Sequence, residues 1–147
     1  MGSAGSVVLL TLVFTFAMIA QTSGVVTIKS NHSVVASIDR LDSLARSKGM
    51  TVFSRIDFAA DARKAGMEMR PEQLLIFGNP EAGTPIMEVA PVAGIDLPLK
   101  VLAWQDGEGE VWFSYNTPEY IRARHKLPDE LVKNIIGIKA LVEKAAE

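Results

Sequence analysis

The chain has 147 residues, of which 48% are hydrophobic and 22% charged, with a formal net charge of −2. Those values suit one folded domain and exclude a disordered chain. The near-neutral balance gives no footing for nucleic acid, which needs a basic surface, and the absence of cysteine excludes disulfides, thiolate chemistry and lipid attachment through an N-terminal Cys.

Met1 to Gly24 carry no charged side chain, and Val7 to Ala20 read VVLLTLVFTFAMIA. A run of that length is short for a bilayer span, which needs about 20 residues, and suits the core of a secretory signal. Gln21, Thr22, Ser23 and Gly24 follow, so cleavage after Ala20, Ser23 or Gly24 is chemically reasonable. The expectation is a signal peptide over residues 1–23 and a single domain over 24–147. That domain would be exported, periplasmic or extracellular, and free of the membrane after cleavage. No Lys or Arg precedes Val7, which keeps an uncleaved anchor from Val7 to about Val26 as the alternative. The anchor would consume Val25 and Val26, which read as strand.

Val25 to Lys29 is β-branched and predicts a first strand. Asn31, His32 and Ser33 supply turn and N-cap chemistry. Val34, Ile38, Leu41 and Ala45 then recur at helical spacing, with Gly49 as the C′ stop. Met50 to Ile56 predicts a second strand, and Asp57 caps a short helix through Ala65. Gln73 to Gly78 is a continuously apolar third strand. Asn79-Pro80 opens a helix over about Glu81 to Ala90, and Pro91 and Pro98 bracket an irregular crossing. Leu99 to Trp104 and Glu110 to Tyr115 flank a Gly-containing loop and predict a hairpin. Thr117-Pro118 starts a short helix carrying Tyr120 and Arg124. Pro128 opens one last helix with Leu131, Ile135, Ile138, Leu141 and Val142 on its apolar face. Set the short helices aside and the order is β-α-β-β-β-β-α. This predicts an α+β fold with a single five-stranded, largely antiparallel sheet and two long helices on one face.

Leu74 to Pro80 (LLIFGNP), followed by Gly83-Thr84-Pro85 and Met87, resembles the signature of the domain of unknown function 302 family. Thr51 to Asp57 (TVFSRID), Ile95 to Lys100 (IDLPLK), and Tyr115 to Tyr120 (YNTPEY) with Arg124-His125 match in the same order. The resemblance implies a compact α+β domain, often dimeric, in a family without an established reaction. Phe58 stands where that family commonly has a His after the Asp closing the second strand. This weakens, for this chain, any role shared between that position and His125.

Four residues are candidates for binding: Asp57, Asn79, Thr84 and His125. Asp57 is a carboxylate for acid–base work, or simply an N-cap. The Asn79 amide is a ligand contact, or a turn residue before Pro80. His125 is a base or ligand at the mouth of a cleft, or a helix C-terminal His on end carbonyls. His32 reads as a solvated turn residue. The chain has no GxGxxG, GxxxxGK[ST] or GxSxG, so no catalytic residue, cofactor or metal is assigned. Met67 and Met69 would share a strand face and, with His125, are the alternative of a metal or haem site. They read better as packing.

The expected function is an exported small-ligand-binding or protein-interaction module without catalytic activity. The alternative is an enzyme of unusual type in which Asp57, Asn79 and His125 share one cleft. The surface expected to matter is the Asn79-Pro80 corner, because a helix start presents unpaired N–H groups that favour a small anionic ligand. Trp104, Trp112 and Tyr115 on the hairpin suggest a docking face and a homodimer.

Overall fold

A computed structural model describes residues 24–147, so the apolar segment expected as a signal lies outside the described residues. Among the described residues there are five strands and six α-helices. They are β1 (Val25–Ser30), α1 (Val34–Ser47), β2 (Thr51–Asp57), α2 (Phe58–Lys64), β3 (Glu72–Gly78), α3 (Pro80–Val89), β4 (Leu99–Gln105), β5 (Val111–Asn116), α4 (Pro118–His125), α5 (Asp129–Val132) and α6 (Ile138–Ala146). A 3-10 helix over Pro91–Ile95 forms the expected irregular crossing. The strands make one sheet in the order β1-β5-β4-β3-β2, with every pair antiparallel. The α+β class and the single five-stranded sheet are therefore as expected.

Alternation along the strands divides the sheet into two faces. Leu75, Phe77, Val101, Ala103, Phe113 and Tyr115 point to one face and are buried with Val34, Ile38, Leu41 and Ala45 of α1 and Leu141, Val142 and Ala145 of α6. Leu74, Ile76, Leu102, Trp104 and Trp112 occupy the other face and are half-buried. Ser33 caps α1 by accepting from the Ala36 N–H, and Gly49 follows its end at φ +75°, where a Cβ is disfavoured. Arg40 Nε donates to the Ala145 carbonyl at 3.1 Å and joins α1 to α6.

The last helix departs from expectation. It is broken into α5 and α6 by a run of turns, in which Asn134 and Ile135 donate to carbonyls three residues back, at Leu131 and Val132. Asn134 and Gly137 are weak helix formers, and Asn134 Nδ2 finds a better partner outside the helix, the Ala82 carbonyl at 3.0 Å. The apolar spacing survives the break because Ile135, Ile138 and Leu141 are all buried. Met67 and Met69 correct another expectation. They lie in the irregular segment before β3 rather than on a strand, and both are exposed. Among the described residues no helix is long and apolar enough to cross a membrane.

Candidate functional site

The apolar run of β3 ends at Gly78, whose backbone lies close to Pro98. Asn79 then takes an extended conformation and its Oδ1 accepts the Glu81 N–H at 2.9 Å. Pro80, which has no N–H, occupies the first position of α3. The N–H groups of Ala82 and Gly83 both donate to the Asn79 carbonyl, at 3.0 and 2.9 Å. One asparagine and one proline therefore account for every early donor of this helix. Glu81 adds a negative charge to the same turn, and α3 carries no basic residue.

Beside this corner is a cavity of about 300 Å³. Its buried wall is Leu97, Leu99 and Ile135, with half-buried Met50 beside them. Exposed Phe53 and Met87 stand at its rim. Phe53 is the extra residue of a β-bulge between Val52 and Ser54, which interrupts the alternation of β2. Polar groups enter from Asn79, Thr84 and Asn134, and no lining residue is charged. With Oδ1 engaged, Asn79 offers its NH₂ group. Asn134, with its NH₂ on Ala82, offers Oδ1.

The four candidate residues do not converge. Asn79 and Thr84 line the cavity. Asp57 lies at the opposite end of the sheet, where it accepts from the Ala60 N–H at 2.8 Å and from Gln73 Nε2 at 3.0 Å. Six residues of extended chain separate Gln73 from Asn79, about 20 Å. Gln73 is buried and also accepts from Arg55 Nε, and Arg55 reaches Asp39 on α1. Asp57 is thus occupied as a helix cap and in a polar network that joins β2, β3 and α1.

His125 ends α4, and its Nε2 is 2.5 Å from Asp96 Oδ2, with both side chains below a tenth exposed. Arg124 holds the other carboxylate oxygen at 3.2 Å. This pairing clamps the end of the 3-10 helix onto α4. Since Leu97 and Pro98 follow Asp96 directly and line the cavity, the clamp also positions the cavity wall. Lys100 donates to the Pro98 carbonyl at 3.0 Å. Burial holds its pKa below the ordinary lysine value, and the Asp96 charge opposes that shift. Neither sequence reading of His125 included Asp96. The available signal was an acid inside the Ile95 to Lys100 block, and nothing in its spacing tied it to a histidine 29 residues on. Asn134 was likewise hidden inside an apolar helical pattern.

Met67 and Met69 follow α2, near the strand ends that carry Asp57 and Gln73, whereas His125 lies by the start of β4. The thioether–histidine set is thus split across the sheet. Among the described residues no group of three or more His, Asp or Glu side chains is arranged to hold a metal ion.

A crystal structure of an uncharacterized conserved protein DUF302 from Bacillus stearothermophilus superposes with a TM-score of 0.69 at 17% identity, covering 84% of this chain and 96% of that one. At that identity the likeness concerns the fold. The fluoride-specific ion channel FluC 1 of Brucella suis biovar 1 (strain 1330) is 44% identical over 120 residues, 82% of this chain and 46% of the channel protein. FluC 1 of Brucella abortus biovar 1 (strain 9-941) is also 44% identical over 120 residues, 43% of its length. The chain therefore spans less than half of these relatives. The model of the domain of unknown function DUF302 matches residues 26–145, and with it the chain belongs to the DUF302 family.

Proposed function

We propose that this domain is a non-catalytic binding module whose ligand site is the cavity beside the Asn79-Pro80 corner. The observation that carries the reading is the uncharged lining: apolar side chains on the walls, with two amides and one hydroxyl to orient a guest. A pocket of this composition is the usual form of a small-molecule site. Amide-resolved NMR of a fragment screen tests it. Binders are expected to shift Gly78, Asn79, Gly83 and Thr84. A screen whose binders all map elsewhere, or that yields none, removes the reading.

We further propose that the domain works after export, as the uncharged segment from Met1 to Gly24 suggests. The Gly24 carbonyl accepts the Thr117 N–H at 2.9 Å, and Gly24 packs on the Tyr120 ring. Processing no later than Ser23 keeps both contacts.

A second reading, protein interaction, draws on exposed apolar side chains around the cavity. Val89, Val92 and Ile95 are 60%, 73% and 65% exposed on α3 and the 3-10 helix, and Ile136 is 55% exposed beside Ile135. Exposed apolar side chains on segments that adjoin the cavity lining in sequence favour a docking role. Val92→Asp with Ile95→Asp separates the two readings: partner capture is lost while fragment shifts at Gly83 persist.

A further inference from the structure

We infer that the guest of this cavity is an uncharged amphiphile: a hydrocarbon body of small-molecule size carrying one hydroxyl or carbonyl group, and not an anion. The inference rests on the cavity being the binding site, and it adds the ligand's class.

A helix start beside a pocket ordinarily favours a carboxylate or phosphate, because its first N–H groups are free and the macrodipole is positive there. At α3 those conditions are cancelled by the chain itself. Pro80 contributes no donor, Asn79 Oδ1 takes the Glu81 N–H, and the Asn79 carbonyl takes those of Ala82 and Gly83. The Glu81 carboxylate already occupies the first turn, where an anion would be repelled. No lysine, arginine or histidine lines the cavity. Lys133, next to Asn134, is exposed and outside the lining. Nearby, the Arg124 guanidinium and the His125 ring are committed to Asp96, and Lys100 Nζ to the Pro98 carbonyl. An anion entering here would lose its hydration without gaining a counter-charge or a free backbone donor, which disfavours it strongly.

The same geometry suits a neutral polar group. Thr84 supplies a hydroxyl that both donates and accepts, Asn79 a donor and Asn134 an acceptor. Below them Leu97, Leu99 and Ile135 are rigid buried walls, while Met50 and Met87 are unbranched thioethers that adapt to the shape of an aliphatic or aromatic body.

The test compares primary alcohols from butan-1-ol upward with carboxylates of matched length. Each is read on the full chain by displacement of Nile red and by amide shifts at Gly83 and Thr84. Alcohol affinity is expected to rise about fourfold per methylene until the cavity is filled, and the matched carboxylates to bind at least tenfold more weakly. Gly83→Leu fills the space and is expected to abolish both readouts. Gly83→Ala is the milder companion: its new Cβ meets only Met87 Cε, at 3.9 Å, so the fold is kept. Carboxylates that bind as well as alcohols, with binding still lost in Gly83→Leu, overturn the ligand class and leave the cavity as the site. Absence of binding by either series, or full binding by Gly83→Leu, overturns both.

Discussion

The Asp96 carboxylate receives His125 Nε2 on one oxygen and Arg124 on the other, at 2.5 and 3.2 Å. Two of its partners differ in worth. Arg124 is 45% exposed, and an ion pair in that setting contributes about 1 kcal/mol or less. His125 is 5% exposed, so removing its partner leaves a buried polar ring unsatisfied. Asp96→Ala is therefore expected to lower stability by about 1–3 kcal/mol, and Arg124→Ala by no more than about 1 kcal/mol, both measured by urea denaturation. Because Leu97 and Pro98 follow Asp96 in the cavity wall, Asp96→Ala is also expected to weaken ligand binding. An Asp96→Ala protein as stable as the parent would show that the contact with His125 contributes nothing to the fold.

At the scale of elements, the loop of the β4–β5 hairpin is tied to its second strand by its own acid. Asp106 Oδ2 accepts Trp112 Nε1 at 2.8 Å, and Oδ1 accepts the N–H groups of Glu108 and Glu110. The Trp112 bond is the main cause holding the Asp106 carboxyl below the ordinary carboxylate range. Partial desolvation opposes it, and the two backbone donors and the Arg70 charge assist. A depressed folded-state pKa means that the stabilisation is complete above the unfolded value, near 4, and is lost as pH falls through the folded value. Asp106→Ala is thus expected to lower the melting temperature at about pH 7 and to have much less effect at about pH 2. Equal losses at both pH values would assign the effect to loop shape instead. The α5–α6 break acts on another surface. It carries Asn134 and Ile135 to the cavity, and a continuous helix would not direct the Asn134 amide to Ala82.

Over the whole molecule, the two faces of the sheet have different destinies. One is closed by α1 and α6, and the other presents half-buried Leu74, Leu102, Trp104 and Trp112. The two tryptophan rings are tilted, with centroids 6.5 Å apart, and Trp104 Nε1 donates to Ser114. We propose this face as the contact of a homodimer, since aromatic clusters are favoured in interface cores and a stable interface needs about 800 Å² per partner. Light scattering is expected to give twice the chain mass at high micromolar concentration, and Trp112→Glu to halve it. A parent monomer at that concentration overturns the proposal.

Much of the fold is legible in the chain because its determinants are local. β-Branched and apolar runs mark all five strands, Ser33, Asp57, Asn79 and Thr117 cap four helices, and Gly49 ends α1. The Asn79-Pro80 turn was legible for the same reason, as a strand end meeting a helix start. Only the tertiary structure decided what that corner offers. The donors expected to be free are consumed by Asn79, the cavity wall comes from segments as distant as Met50, Leu97 and Ile135, and the partner of His125 is Asp96. Capping and periodicity act over three or four residues and leave a trace in sequence. A cavity and a buried hydrogen-bonded pair join residues through space, and their spacing along the chain carries no record of the contact.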